Sequence, residues 1–263
     1  MKIGVSTASM FLREYNEDAL KKLNELGIES TEIFLASYSE YTNSFAKLLK
    51  KNKGKIDVHS IHVLITQFEP QLYTNHLRAK TDAYFYLENV MKTAKMLGAK
   101  YYTFHGIARL KKAPIVADFD IIGEKTNQII EMCEKYNVSL SYENVHWAYY
   151  NYAGFFGELK KRCPKLKGVL DIKQARQSEI DYSEYIKDMT DNIVTVHLSD
   201  INQNGKIVLP GRGIFDFETL FKMLKDNGFN GALIIEVYKD DYGDIIELKQ
   251  STDYVKELAY KIF

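Results

Sequence analysis

The chain has 263 residues, 46% of them hydrophobic and 27% charged, a balance that supports a sizeable packed core and excludes a disordered chain. Its 35 Lys and Arg are matched by 35 Asp and Glu, so no excess positive charge is available to neutralise a phosphate backbone, and nucleic acid is not expected as a partner. No apolar run approaches the roughly 20 residues that a bilayer span needs. The opening MKIGVSTASM holds a strand-like stretch shorter than the apolar region of a signal peptide, which points to the cytoplasm.

Short apolar, β-branched and aromatic runs recur in order: KIGVST from Lys2, STEIFL from Ser30, IDVHSIHV from Ile56, YYTFH from Tyr101, VSLSYE from Val138, GVLDI from Gly168, IVTVHLSD from Ile193 and ALIIEVY from Ala232. Most are continuous instead of alternating, as expected of parallel strands covered on both faces. Amphipathic helical patterns lie between them, including Glu17 to Leu26, Leu77 to Leu97, Phe119 to Tyr136, Phe217 to Asn227 and Ile245 to Ile262. Gly27, Gly98, Asn137 and Gly228 follow the last turns of such patterns and suit left-handed caps. Asp216 is placed to cap the helix that begins at Phe217. His76 precedes the long helix as a surface or capping residue.

Eight strands alternating with helices predict an α/β fold, a (β/α)₈ TIM barrel in a single domain spanning residues 1–263. The length is near the roughly 250 residues usual for that fold. A doubly wound open sheet fits a parallel pattern too, but the strand count favours closure. Neither GxGxxG after the first strand nor a P-loop is present, which removes the usual marks of dinucleotide or nucleoside triphosphate binding. Cys133 and Cys163 form no CxxC pair and read as buried or half-buried free thiols.

The later strands each carry a polar, metal-competent side chain near the C-terminal end: His62, His105, Glu143, Asp171, His197 and Glu236. In a barrel those ends share the face on which active sites are built. Glu236 directly follows an apolar strand, where burial without a partner costs several kcal/mol. Glu143 and Asp171 pose the same problem, and one shared cation solves it for all three. With the imidazole of His197 they make an oxygen-rich shell suited to one divalent metal: Mn²⁺, Mg²⁺ or Co²⁺, with Zn²⁺ also accepted. His59, three residues before His62, is expected to face the other side of its strand, so that His62 alone enters the pocket.

The set Glu143 in SYEN, Asp171 in VLDI, His197 in VHLSD and Glu236 in IIEV resembles the xylose isomerase-like superfamily of sugar isomerases and epimerases, over nearly the whole chain. The resemblance to its ketose 3-epimerases implies that these four residues bind one metal and that Glu143 and Glu236 also act as the acid/base pair. It implies a sugar or sugar phosphate substrate rearranged by proton transfer next to a carbonyl, through a metal-stabilised enediolate. Return of the proton to the other face gives epimerisation, return to the neighbouring carbon gives isomerisation, and loss of a β-hydroxyl gives a polyol or inosose dehydratase.

The superfamily also includes endonuclease IV, whose extra histidines are matched by His62 and His105, so a second metal and a dinuclear phosphoester hydrolase stay open. That family's third metal position is not matched, because DIKQ places Gln174 where it has a histidine. Gln174 and Tyr149 also stand where the epimerases hold substrate with a histidine and a second glutamate, so substrate identity is not carried over. A barrel that binds a sugar without turning it over is a third reading. Gln174, Trp147, Lys206 and Arg212 are the candidate substrate-binding residues, Arg212 lying in LPGRG, where a tight turn is the simpler explanation. Trp147 belongs to HWAYYNY, an aromatic loop that suits a sugar wall and a homo-oligomer contact equally.

Overall fold

Eight parallel strands close on themselves in the computed structural model, which describes residues 1–64, 67–109 and 116–263. They are β1 (Lys2–Ser6), β2 (Ser30–Leu35), β3 (Asp57–Val63), β4 (Tyr101–Phe104), β5 (Ser139–Glu143), β6 (Lys167–Asp171), β7 (Ile193–Leu198) and, after a two-stranded ribbon of β8 (Asp200–Ile201) and β9 (Ile207–Val208), the last barrel strand β10 (Ala232–Ile235). The closing pair is β1 with β10, in register from Lys2 opposite Ala232 to Val5 opposite Ile235. Every residue of β2, β7 and β10 is buried. Their unbroken apolar runs therefore mark strands packed inside and out, as the sequence pattern requires.

Helices α1 (Asn16–Glu25), α2 (Asn43–Asn52), α3 (Leu77–Leu97), α4 (Phe119–Glu134), α5 (Phe155–Arg162), α6 (Ile172–Gln177), α7 (Tyr182–Met189), α8 (Phe217–Asp226) and α9 (Ile246–Ile262) complete the fold. Helix α3 buries Ala83, Leu87, Val90, Met91, Ala94 and Leu97, a three-and-four spacing that turns one stripe to the barrel. Gly27, Gly98, Asn137 and Gly228 all have positive φ. Asp216 accepts from the Thr219 amide and His76 Nδ1 from the Ala79 amide, so both are helix caps. Cys133 and Cys163 are buried and free. Among the described residues no helix is long and apolar enough to cross a membrane.

The structure corrects the expectation for His59. The register of β2 on β3 slips between Thr31 and Glu32, passing from Val58 to Ser60, so that His59 is the extra residue of a bulge. A bulge re-aims the side chain it carries. His59 Nε2 lies 3.0 Å from Thr195 Oγ1 and 3.2 Å from the Val194 carbonyl oxygen. Because β3 and β7 are not neighbours in the sheet, that contact crosses the barrel interior. Both histidines thus point inward, His59 on the floor beneath His62.

Candidate metal centre and active site

Side-chain alternation along the strands stacks the inward residues in layers, and the layer at the C-terminal ends is polar. In register, Glu143 pairs with Val169, Asp171 with His197, and His197 with Ile234, two residues before Glu236. One ligand atom from each of Glu143, Asp171, His197 and Glu236 lies within 4.8 Å of the others, and all four side chains are buried. The sequence-predicted quartet is therefore gathered at one point, although 93 residues of chain separate its ends.

The local backbone holds Asp171 in place. Its amide donates to Asn144 Oδ1 at 2.8 Å, and Asn144 Nδ2 returns a bond to the Asp171 carbonyl oxygen at 2.9 Å, which ties the end of β6 to the residue after Glu143. Asp171 Oδ1 caps α6 by accepting from the Gln174 amide at 2.9 Å. Its other oxygen, Oδ2, has no hydrogen-bond partner, and the same holds for Glu143 Oε2 and Glu236 Oε2. Three buried carboxylate oxygens without donors are unstable unless a cation serves them. Three oxygens and one imidazole nitrogen fit a hard or borderline divalent ion.

Glu32 sits at the centre of this layer and is fully buried. Its Oε2 accepts from Ser60 Oγ at 2.6 Å and Thr103 Oγ1 at 2.5 Å. Its Oε1 lies 3.0 Å from His197 Nε2, an ion-pair contact off hydrogen-bond alignment, and 3.2 Å from His62 Nδ1. His197 therefore presents Nδ1 to the quartet, 3.1 Å from Glu143 Oε1. A carboxylate behind a ligating histidine fixes its ring and tautomer. The sequence reading passes over Glu32, yet STEIFL signals it as clearly as IIEV signals Glu236: a carboxylate within an apolar strand.

A second group of donors adjoins the first. His62 Nε2, His105 Nε2 and a Glu143 oxygen also converge. The two Nε2 atoms face each other at 2.8 Å, while His62 Nδ1 and His105 Nδ1 are each 3.2 Å from a carboxylate, Glu32 and Glu69 respectively. With both Nδ1 protons given to carboxylates, two nitrogen lone pairs meet, so a proton or a metal ion must lie between them. Glu69 is wholly buried and is held by the Tyr102 hydroxyl at 2.6 Å and the His105 amide at 3.2 Å. It opens a short 3₁₀ turn, Glu69–Tyr73, where no strand pattern marks it. Gly106, directly after His105, has φ +75° and packs so close to Tyr142 that a Cβ would fall 1.7 Å from the ring hydroxyl, so only glycine turns the chain there.

The charges of this layer act strongly on one another. Burial alone pushes the Glu143 carboxyl up, but His197, His105 and His62 outweigh it and bring it down to about 2. For Asp171 burial dominates, with Glu143 and Glu236 adding to it, and the group is pushed up to about 6 despite Lys173 and His197. His197 is raised well above the ordinary imidazole range against its burial, by Glu236, Glu32 and Glu143. His62 rises to about 9 against burial, chiefly through Glu32.

The remaining candidates are dispersed. The Trp147 ring lies against His105 with centroids 5.2 Å apart, so it walls the second donor group. Gln174 Oε1 accepts from His146 Nδ1 at 2.6 Å and from the His146 amide at 3.2 Å. Lys206 and Arg212 are exposed, with contacts running to the Asp240 carbonyl oxygen and to Gln250. The LPGRG segment wraps the carboxylate of Asp200, which accepts from the amides of Gly211, Gly213 and Phe215. Two clefts flank the quartet without including it. One of about 520 Å³ is lined by Thr7, Phe11, Arg13 and Phe34, and Phe34 reaches His62 with ring centroids 5.2 Å apart. The other, about 350 Å³, is lined by Lys173, Ser199 and Phe215.

A family model described as xylose isomerase-like TIM barrel matches residues 20–260. The chain belongs to that family. An inosose dehydratase of Clostridium perfringens is 22% identical, with 82% of this chain and 85% of the relative aligned. A D-psicose 3-epimerase from Clostridium cellulolyticum, solved with D-tagatose, superposes with a TM-score of 0.80 at 16% identity, covering 100% of this chain and 99% of that one. An IolI protein solved with a zinc atom gives 0.78 at 16% identity, with the same coverage. Likeness at that identity speaks for the barrel and leaves the reaction to the residues.

Proposed function

We propose that this xylose isomerase-like barrel is a metal-dependent isomerase or epimerase of a sugar or sugar phosphate. The observation that carries the reading is the convergence of Glu143, Asp171, His197 and Glu236 with three carboxylate oxygens left without donors. Manganese, zinc, magnesium and cobalt all suit the donor set, and the IolI structure with its zinc atom supports the borderline choice. When bound, such an ion supplies Lewis acidity to neighbouring substrate oxygens.

The chain's own residues do the rest. Glu143 and Glu236 stand on different strands of the same layer, and in this reading one takes the proton from the carbon beside the carbonyl and the other delivers it. Asp171, pinned by Asn144 and the start of α6, stays a fixed anion. Glu32 and Glu69 hold the rings of His197, His62 and His105. Trp147 offers an apolar face to a sugar ring, and Gln174 with His146 offers polar contacts next to it.

Two alternatives rest on specific observations. The inosose dehydratase relative supports loss of a β-hydroxyl after the same proton abstraction. The facing Nε2 atoms of His62 and His105 support a second metal and hence a dinuclear phosphoester hydrolase. The test is incubation of the Mn²⁺- or Co²⁺-loaded protein in deuterated water with D-tagatose, D-fructose, an inosose and, separately, a phosphate ester, followed by NMR. Deuterium entering next to the carbonyl of a ketose supports the isomerase reading. Water loss from the inosose without ketose labelling moves the assignment to dehydratase, and phosphoester cleavage with neither overturns both.

A further inference from the structure

Lys173 is a buried lysine beside the quartet that ligates nothing there. It is 3% exposed, and its Nζ lies 3.7 Å from Asp171 Oδ2 and 4.4 Å above the centre of the Tyr238 ring. Neither contact is a hydrogen bond, so the three donors of this ammonium have no acceptor among the described residues. Nζ is not among the partnerless side-chain atoms sealed from solvent, so these donors are left for water or a ligand to meet. Asp171 does not satisfy them: Oδ1 is engaged with the Gln174 amide, and Oδ2, 3.7 Å from Nζ and 3.9 Å from His197 Nδ1, is the partnerless oxygen assigned to a metal in the reading above.

The position is fixed by the elements that carry the metal-ligating side chains. Lys173 is the second residue of α6, directly behind Asp171, and Tyr238 follows Glu236 by two. Both therefore stand at the rim between the ends of β6 and β10. The stem of Lys173 is packed and the Tyr238 ring is half exposed, so the ammonium is held beneath a partly open aromatic cover. A fixed cation beside a reacting centre stabilises charge that develops there without reorganising.

We propose that Lys173 contacts the substrate, donating a hydrogen bond to the oxygen that gains negative charge as the neighbouring carbon loses its proton. This rests on the metal-site reading above. The ligand class it favours has two adjacent oxygens that carry or acquire negative charge: a hydroxy-ketone on its way to the enediolate, or an α-keto or α-hydroxy acid. A lysine serving only as a counter-ion to Asp171 would leave such ligands indifferent to its removal.

Oxalate is a suitable probe, because it is a planar anion with adjacent oxygens and needs no turnover. Titration calorimetry of the full chain, first with Mn²⁺ and then with oxalate, is compared for the parent, K173M and K173R. The expected result is Mn²⁺ affinity equal or tighter in K173M, oxalate affinity at least tenfold weaker, and partial recovery in K173R, which keeps the charge but moves the donors. Should K173M be poorly folded, K173Q carries the same comparison. Equal oxalate affinity in parent and variant, or none in the Mn²⁺-loaded parent, overturns the inference alone. Absence of Mn²⁺ uptake by the parent overturns the metal reading and this inference with it.

Discussion

His197 faces two carboxylates with its two ring nitrogens: Nε2 lies 3.0 Å from Glu32 Oε1, and Nδ1 lies 3.1 Å from Glu143 Oε1. Glu32 thus places a negative charge behind the ring, on the side away from the quartet. Replacing Glu32 by Gln removes the acceptor charge and frees the ring without altering volume. Metal affinity should fall about 10- to 100-fold with stoichiometry retained, as for other carboxylates behind a ligating histidine. Competition with a coloured chelator measures this, and unchanged affinity would show that Glu32 has no such role.

The metal-free site holds protons that a cation must displace. His197 is raised well above its ordinary value and Asp171 is raised to about 6, so metal and proton compete directly. Affinity should climb as pH rises from 5 to 7, while Asp171 ionises. Binding at pH 7 should release about one proton, from His197. Calorimetry in buffers of different ionisation enthalpy counts that proton, and zero release at pH 7 would contradict the coupling.

His59 gives a separate pH signature on the barrel floor. Burial lowers it to about 4, so the folded protein keeps it neutral where the unfolded chain, at about 6.5, takes up a proton. A histidine with a depressed folded value contributes stability above pH 6.5 that is lost as pH falls through 4, up to about 3 kcal/mol. The variant His59→Gln should therefore lose less stability than the parent between pH 6.5 and 4. Parallel urea midpoints over that range would refute this account.

Much of this arrangement is legible in the sequence, and the reasons differ by residue. The strands of the barrel are readable because residues buried on both faces leave unbroken apolar runs, and Glu143, Asp171 and Glu236 stand out against them. Glu32 carries the same signal inside STEIFL but lies before the metal-binding motifs begin. The inward turn of His59 depends on the slip of β2 on β3, a pairing property that neither strand contains alone. Glu69 and Lys173 acquire meaning only through contacts with His105, Asp171 and Tyr238. The tight turn expected at LPGRG is shaped by Asp200, whose carboxylate accepts from the amides of Gly211, Gly213 and Phe215, a partner that the motif itself does not contain.

Catalytic roles for the two glutamates predict a division of effects. Glu236→Gln keeps the shape and removes the base, so deuterium exchange at the substrate carbon should drop at least about 100-fold. The sugar should still bind to whatever metal-loaded fraction remains. NMR exchange rates normalised to bound metal test this. A rate near the parent's would remove Glu236 from proton transfer.

Metal analysis of chelator-treated and reconstituted protein is the most direct test that Glu143, Asp171, His197 and Glu236 hold a divalent cation. The parent should retain about one tightly bound equivalent after desalting, two if His62 and His105 complete a second site. Asp171→Asn and Glu236→Gln should each bind the first equivalent too weakly to keep it through desalting, and His62→Ala should affect only the second. Asp171→Asn and Glu236→Gln proteins that bind metal as tightly as the parent would contradict the four-residue site.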